Sequence, residues 1–355
     1  MSHAPTLAGM IALALLSVAS TGQRRPAAPE VWLCTSLTDE LTRAGAEWPF
    51  VKRNLTGLKL YVDQINQAKP EQLKALVKLA KEQRFRIAVE LGCCLDFGPM
   101  DDTNGEWSAR HELAKIRKWY DAGGRVDYLD LDGPVRRLMH PDNRADGKHF
   151  ASMESAVEQV VRSVRLFRAA HPEIKFWHLT NFPNWGYRGD VSYHARGPQR
   201  QDYGDYDDAH RMVYDALRKA RLPLEGVTID NPYDYLIGEH FSVNLKPASQ
   251  VDWMKRVRAY EDRCRSEGLK VNLIVNSERG GMRSDALFAD ETLKMVDAHI
   301  KAGGRPDRWI VQSWYPHPKR IVPETDPTTM TGLVKAAIEK VRPSPRRTAP
   351  PDTGS

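Results

Sequence analysis

Apolar positions along the chain alternate between two periods. Short apolar runs or alternations, typical of strands, are followed by longer stretches in which apolar residues recur every three or four positions, typical of helices. We predict strands at residues 31–36, 58–63, 86–91, 126–132, 175–181, 226–230, 271–278 and 309–315. We predict helices at residues 39–51, 70–83, 109–122, 153–170, 206–220, 250–267, 285–302 and 328–341. Strict strand–helix alternation of this kind predicts an α/β fold, a single (β/α)8 TIM barrel.

A doubly wound sheet is the alternative fold with the same alternation. It usually has a glycine-rich turn after its first strand, and Cys34-Thr35-Ser36 contains no glycine. A repeated motif favours the barrel: Ala-Gly-Gly-Arg-Val-Asp at 122–127 precedes the fourth strand, and Ala-Gly-Gly-Arg-Pro-Asp at 302–307 precedes the eighth. Helix-ending glycines four units apart fit half-barrel symmetry, and the alignment places Gln312 where Asp132 lies.

The two ends of the chain differ from the rest. The first twenty residues contain no Lys, Arg, Asp or Glu, and residues 7–19 are rich in Ala and Leu. This pattern is typical of a secretory signal peptide, predicted at 1–22, with an uncleaved membrane anchor as the alternative. We therefore expect a secreted or periplasmic protein without stable membrane association. The barrel is predicted at 27–341, and the Pro-, Ser- and Arg-rich residues 342–355 are predicted to be disordered.

Composition restricts the classes of partner. Hydrophobic residues make up 41% and charged residues 28% of the chain, as in ordinary soluble proteins. The net charge of +6 arises largely at peripheral stretches such as 23–26 and 342–347, so nucleic-acid binding is not predicted. Cys34, Cys93, Cys94 and Cys264 do not have the spacing of a metal site, and no metal or cofactor is predicted. Disulfides and buried free thiols both remain open for these cysteines.

The segment Val-Asp-Tyr-Leu-Asp-Leu-Asp-Gly-Pro at 126–134 carries the most specific chemical signal. In a strand, side chains alternate, so Tyr128, Asp130 and Asp132 share one face. Two carboxylates at the end of a buried strand are expensive to bury, but they are useful at the carboxyl-terminal mouth of a barrel, where active sites lie.

The same alternation applied to the other strands places more polar residues at this mouth. Asp230 ends the sixth strand and Glu278 the seventh, while Trp185 lies in the loop after the fifth strand. An acidic pocket with aromatic residues at its rim predicts a carbohydrate substrate, because aromatic faces stack on sugar rings. The predicted substrate-binding residues are Lys59, Tyr61, Asp63, Glu90, Asp130, Asn181, Trp185, Asn276, Gln312 and Trp314. On the fifth strand, His178 and Thr180 compete with Trp177 and Asn181 for the inner face, and Lys59 is expected to be a counter-ion of Asp130 or Glu90.

On these strand-end residues the chain resembles the secreted (β/α)8 glycoside hydrolases. Tyr-Leu-Asp-Leu-Asp at 128–132 looks like the fourth strand of retaining α-galactosidase-like barrels, whose nucleophilic Asp lies there and whose acid lies on the sixth strand. The resemblance implies Asp132 as nucleophile and Asp230 as general acid/base, although Asp130 stands where those enzymes have Lys. Cellulase-type barrels have a Glu nucleophile on strand seven, which Glu278 would match, but their Asn-Glu pair on strand four is missing. No specific family is matched.

We therefore predict a glycoside hydrolase acting on a poly- or oligosaccharide by a paired-carboxylate mechanism. The catalytic residues are Asp132 and Asp230, with Glu278 as the competitor for one role. One alternative is a metal-dependent sugar isomerase or epimerase, with ligands among Glu90, Asp130, His178, Asp230 and Glu278. The other is a non-catalytic carbohydrate-binding barrel.

Overall fold

Eight parallel strands close a barrel in a computed structural model that describes residues 28–342 except 37, 142–143, 190–203, 240–248 and 250. Each strand pairs with its neighbours along the chain, and the last pairs with the first. The strands are β1 (Glu30–Thr35), β2 (Gly57–Tyr61), β3 (Arg86–Leu91), β4 (Tyr128–Asp132), β5 (Lys175–Leu179), β6 (Gly226–Ile229), β7 (Lys270–Val275) and β8 (Arg308–Ser313). The predicted (β/α)8 TIM barrel is confirmed.

Helices separate the strands and cover the outside of the barrel. They are α1 (Asp39–Thr42), α2 (Pro49–Asn54), α3 (Val62–Gln67), α4 (Pro70–Gln83), α5 (Asn104–Asp121), α6 (Pro134–Met139), α7 (Met153–Ala170), α8 (Tyr206–Lys219), α9 (Tyr233–Leu236), α10 (Trp253–Ser266), α11 (Glu278–Arg283), α12 (Asp285–Lys301) and α13 (Met330–Val341). Each long helix buries one apolar face against the sheet, as its periodicity predicts. The helix predicted at 39–51 is two short helices, and α2 begins at Pro49 because proline suits a first helical position.

Several strands end earlier than predicted. β2 ends at Tyr61, and Asp63 lies in α3. β7 ends at Val275, because Ser277 begins α11 as an N-cap whose side chain accepts a hydrogen bond from the amide of Gly280 at 2.9 Å. The mouth of the barrel is therefore built from helix starts as well as strand ends.

Large side chains fill the amino-terminal end of the barrel lumen. The rings of Trp32 and Trp177 lie 5.5 Å apart, and Tyr128 stacks on Trp177 at 4.3 Å. The guanidinium of Arg308 lies 4.9 Å from the Trp177 ring and is only 3% exposed. We call these four residues the plug. It leaves the polar lumen residues above it facing the carboxyl-terminal mouth.

The repeated motif forms the same corner twice. Gly123 and Gly303 have φ values of +86° and +76°, which end α5 and α12 in the left-handed conformation that glycine adopts without strain. The carboxylates of Asp127 and Asp307 then each accept a backbone amide from the preceding strand, at 2.8 Å and 3.0 Å. The corners before β4 and β8 therefore have the same geometry, as the repeated sequence motif suggested.

The four cysteines are buried free thiols in the structure. None of the helices in the described ranges is long and apolar enough to span a bilayer. The predicted signal peptide, residues 1–22, lies outside the described residues, as does the predicted tail from residue 343 onward.

Candidate active site

A pocket of about 420 Å³ lies at the carboxyl-terminal mouth of the barrel. We call it the central pocket. The structure brings together in it eight of the predicted site residues, namely Tyr61, Glu90, Asp132, Asn181, Asp230, Glu278, Gln312 and Trp314. Residues from β2, β3, β4 and β8 and from the loops after β5, β6 and β7 converge there, as expected for a barrel active site.

Asp132 is held as a carboxylate by its surroundings. Its side chain forms an ion pair with the guanidinium of Arg137, whose Nε also donates to the Asp132 carbonyl at 3.0 Å. Burial alone would raise the pKa of Asp132, but the charges of Arg137 and Arg136 and a hydrogen bond from Asn181 lower it below its usual value. Asp132 is therefore ionised over the ordinary pH range.

The turn after β4 requires glycine for this arrangement. Gly133 has φ +51°, and a Cβ there would lie 2.7 Å from Oδ1 of Asn181. Pro134 follows as the first residue of α6, and the two arginines are Arg136 and Arg137 in the same turn. The Gly-Pro pair therefore ends the strand at its carboxylate and directs positive charge back toward it.

The surroundings of Asp230 shift its pKa in the opposite direction. Burial, followed by the negative charges of Glu90, Asp132 and Glu278, raises the pKa of Asp230 to about 7. Its Oδ1 has no hydrogen-bond partner among the described residues. With a pKa of about 7, the side chain is about half protonated at pH 7, whereas an exposed aspartate would be almost fully ionised.

Glu278 begins α11 and faces the same pocket. The hydroxyl of Tyr235 donates to its Oε2 at 3.1 Å, and its backbone amide donates to Asp234 at 3.0 Å. Arg279 next to it pairs with Glu291 and Glu239, which fixes the start of the helix. The third predicted catalytic acid is therefore a positioned member of the pocket.

A buried ion cluster lies directly beneath the pocket. Lys59 Nζ lies 2.6 Å from Glu90 and 2.6 Å from Asp130, and the lysine side chain has no solvent exposure. Burial would lower the pKa of Lys59, but the two carboxylates raise it, and burial raises the pKa values of Glu90 and Asp130. The expectation that Lys59 is a counter-ion is confirmed, and it serves both acids.

Hydrogen bonds connect this cluster to the pocket above and to the lumen below. Gln312 donates to Glu90 at 3.1 Å, and Thr228 donates to Asp130 at 2.9 Å. Asp130 has no solvent exposure and Asn276 only 1%, so both support the pocket from beneath. Lys59, Asp130 and Asn276, predicted to bind substrate, lie in the lumen and do not line the pocket.

The structure shows which residues of the fifth strand face the barrel lumen. Trp177 is part of the plug, and Asn181, which has φ +40°, lines the central pocket. His178 points outward to α8, where its Nδ1 lies 3.2 Å from the Tyr206 hydroxyl. Burial lowers the pKa of His178 to about 3, so its ring is neutral.

The ligand set considered for a metal-dependent isomerase is therefore not assembled. His178 lies on the opposite face of the sheet from Glu90, Asp130 and Asp230. Among the residues that the structure describes, no group of three His, Cys, Asp or Glu side chains has an arrangement that could hold a metal ion.

Besides Lys59, Asp130 and Asn276, two more predicted binding residues lie outside the central pocket. Asp63 is on α3, pairs with Lys115 at 2.9 Å and lines a neighbouring groove. Trp185 is 2% exposed, and its ring packs against Tyr206 at 5.4 Å. Alternation misplaced Asp63 because the strand ends two residues before it, and the loop after β5 folds inward and buries Trp185.

Arg136 and Arg137 are pocket residues that the strand-end reasoning missed. They belong to α6, not to a strand, so alternation says nothing about them. Their signal was present in the sequence, because Arg-Arg follows Asp-Gly-Pro by one residue in a loop that must lie at the mouth. Two basic residues so close in sequence to an acidic strand end indicate that their charges lie near its carboxylate.

Comparisons with known proteins identify no family for this chain. No model of a known protein family matches the chain, and no curated protein matches it. Similar solved structures include the GH53 catalytic domain of Ignisphaera aggregans, with 9% identity and TM-score 0.46 over 79% of this chain and 83% of that one. They also include 3-keto-D-glucoside 4-epimerase from E. coli, with 9% identity and TM-score 0.42 over 88% and 98%. A third is D-psicose 3-epimerase from Clostridium cellulolyticum H10, also with 9% identity and TM-score 0.42 over 88% and 98%.

The reactions named for these structures differ, because one is a GH53 catalytic domain and two are epimerases. The similarity does not distinguish one reaction from the other.

Proposed function

We propose that the protein is a glycoside hydrolase in which Asp132 and Asp230 are the catalytic pair. The observation that carries this proposal is that two acids lining one pocket have surroundings that shift their pKa values in opposite directions. The pKa of Asp132 is lowered by Arg137 and Arg136, and that of Asp230 is raised to about 7. Glycoside cleavage requires one ionised and one protonated carboxyl group, and environments that separate two pKa values assign these roles.

The roles follow from the protonation states. Asp230 donates its proton to the leaving glycosidic oxygen as the bond to the anomeric carbon breaks. Asp132 provides the carboxylate that acts on the anomeric carbon, directly or through a water molecule. Glu278, whose charge contributes to the raised pKa of Asp230, binds substrate hydroxyl groups together with Tyr235.

The rest of the pocket suits a sugar. Arg136, Asn181, Asn184 and Gln312 supply hydrogen-bond donors and acceptors at its wall. Tyr61, Tyr235, Tyr315 and Trp314 are also pocket residues, and Trp314 is 59% exposed. Polar groups converging from several sides beside aromatic rings match the many hydroxyl groups and the apolar faces of a pyranose.

Export belongs to the same proposal and rests on residues 1–22 alone. A mature protein that begins near Gln23 after expression in its natural host would support it. N-terminal sequencing of the secreted or periplasmic fraction measures this directly. A protein that retains Met1 in the cytoplasm contradicts it.

A glycan-panel assay with nitrophenyl glycosides tests the catalytic pair. On a natural glycan, Asp132→Asn and Asp230→Asn should each lower kcat/KM by about 10²- to 10⁴-fold. On a nitrophenyl glycoside, whose leaving group does not need a proton, Asp230→Asn should lose much less activity than Asp132→Asn. That difference separates the acid from the carboxylate that acts on carbon.

Asp290→Asn is the matched control for these variants. Asp290 is an exposed aspartate on α12 paired with Lys294 at 2.7 Å, and exposed pairs of this kind contribute little. Asp132→Asn should lower the unfolding temperature because Arg137 loses its partner, so activity is measured at a temperature where all three variants are folded, and only the control should keep full activity. Full activity in both Asp132→Asn and Asp230→Asn would show that the pair is wrong.

A further inference from the structure

A second cavity, of about 540 Å³, adjoins the central pocket. It lies between the loop after β1, helix α3 and the first turns of α4, and we call it the side groove. Tyr61 and Trp314 line both cavities. Each volume alone is in the range of about 300–1,000 Å³ that small-molecule sites occupy, so together they can hold more than one sugar residue.

Trp314 marks the passage from one cavity to the other. It is 59% exposed, and its ring lies 4.6 Å from that of Tyr315, which lines the central pocket. A large apolar ring left open to solvent at a cavity rim loses the free energy that burial would give it. A sugar face stacked on it would recover that free energy.

The side groove has the mixed surface of a carbohydrate site. Leu60, Ile65 and Leu73 form an apolar floor, while Gln64 and Gln67 add amide groups. Pyranose rings likewise have apolar faces and a polar edge, so this combination fits them better than it fits a purely apolar ligand.

The side-chain oxygen of Gln64 accepts no hydrogen bond from the described residues. Its Nε2 donates to the carbonyl oxygen of Ser36 at 3.1 Å and also to the hydroxyl of Thr38. A carbonyl oxygen can only accept, so the amide orientation is fixed, and Oε1 is left without a partner among the described residues. Buried acceptors without donors are costly, and a sugar hydroxyl that reached Oε1 after a small shift of the groove wall would supply the missing hydrogen bond.

We propose that the side groove binds further sugar residues of the glycan whose scissile bond lies in the central pocket. This inference rests on the proposed hydrolase function and narrows its substrate to an oligosaccharide or polysaccharide. The glycan passes from the central pocket over Trp314 and Tyr61 into the side groove. Sugar residues bound there contribute affinity without contacting the reacting atoms.

Blocking the side groove tests this directly. Ala68 lines the side groove but not the central pocket, and its φ of −63° and ψ of 144° are compatible with any side chain. Ala68→Trp should raise KM for a long oligosaccharide about ten-fold while kcat/KM for a short nitrophenyl glycoside stays within about two-fold. Ala145→Trp, in an exposed loop elsewhere, is the matched control.

Removing the shared ring gives an independent measurement. Trp314→Ala should lower kcat/KM about five- to ten-fold for long chains, with a smaller effect on short ones. Trp107→Ala is its control, because Trp107 is a partly exposed tryptophan on α5 that lines neither cavity. Circular dichroism and melting temperature verify that each variant is folded.

The outcomes separate this inference from the proposed function. If the wild type cleaves a glycan but chain length does not affect KM, or if Ala68→Trp behaves like its control, the side-groove inference is wrong and the hydrolase proposal stands. If no glycan is cleaved, calorimetric titration of the full chain with the same oligosaccharides decides. Affinity that rises with chain length and is lost in Ala68→Trp then supports the side groove alone, and absence of binding overturns both.

Discussion

Replacing Lys59 with methionine should destabilise the protein strongly, because two buried carboxylates would lose their common cation. Lys59 lies 2.6 Å from Glu90 and 2.6 Å from Asp130, and the side chains of Lys59 and Asp130 are entirely buried. Removing one partner of a buried ion pair typically costs about 3–5 kcal/mol. Lys59 serves two acids, so we expect Lys59→Met to lower the free energy of unfolding by at least about 3 kcal/mol.

Urea denaturation of the wild type and the variant measures this cost. Lys340→Met is the matched control. Lys340 pairs with Asp297 at 2.8 Å, but the two side chains are 35% and 57% exposed. An exposed pair contributes about 0–1 kcal/mol, so the control should unfold near the wild-type midpoint. A second comparison is Lys59→Met combined with Glu90→Gln and Asp130→Asn, which makes the cluster neutral and should recover part of the loss.

The loss in Lys59→Met should also depend on pH. Burial raises the pKa values of Glu90 and Asp130 in the folded protein, and loss of the cation raises them further. The unfolded chain's carboxyl groups titrate at their ordinary pKa values, so the folded variant binds more protons than the unfolded chain at any pH between the ordinary and the raised values. The stability of the variant therefore falls as the pH rises through that range. Destabilisation should be larger at about pH 8 than at about pH 5. A variant as stable as Lys340→Met at both pH values would refute this reasoning.

Two further variants test the turn that holds Asp132. Arg137→Gln removes the charge that most lowers the pKa of Asp132. The acidic limb of the kcat/KM profile should therefore move to higher pH by on the order of one unit. An unchanged profile would contradict the role of Asp132 as the catalytic carboxylate. Gly133→Ala combines φ +51° with a Cβ contact of 2.7 Å to Asn181, so it should cost more stability in thermal unfolding than Gly147→Ala, which has φ +63° and open space. The Gly147 variant should cost only about 1–2 kcal/mol, and equal costs would show that the contact does not matter.

Period and alternation were enough to predict the barrel. Each strand segment carried its own apolar signal, and parallel strands joined by helices have few ways to close. Alternation also placed Glu90, Asp132 and Asp230 correctly in one pocket, because strand parity fixes the face on which a side chain lies.

The prediction was weaker where the chain leaves the strands. Asp63 was placed at the mouth by extending β2 two residues too far, and Trp185 was taken as a rim residue although its loop folds back onto Tyr206. Arg137 was missed because its position depends on a helix start set by Gly133 and Pro134. Periodicity contains no information on how a loop returns to the barrel, and burial of an ion pair depends on distances that only the folded chain defines.

The plug at the amino-terminal end of the lumen has a kinetic consequence. Trp32, Tyr128, Trp177 and Arg308 fill the described barrel below the ion cluster, so a molecule in the central pocket cannot leave through the bottom. In the proposed hydrolase, the sugar held nearest the plug must depart through the opening by which the glycan arrived. Until it does, the next glycan is excluded, so that product should act as a competitive inhibitor and its release can limit turnover.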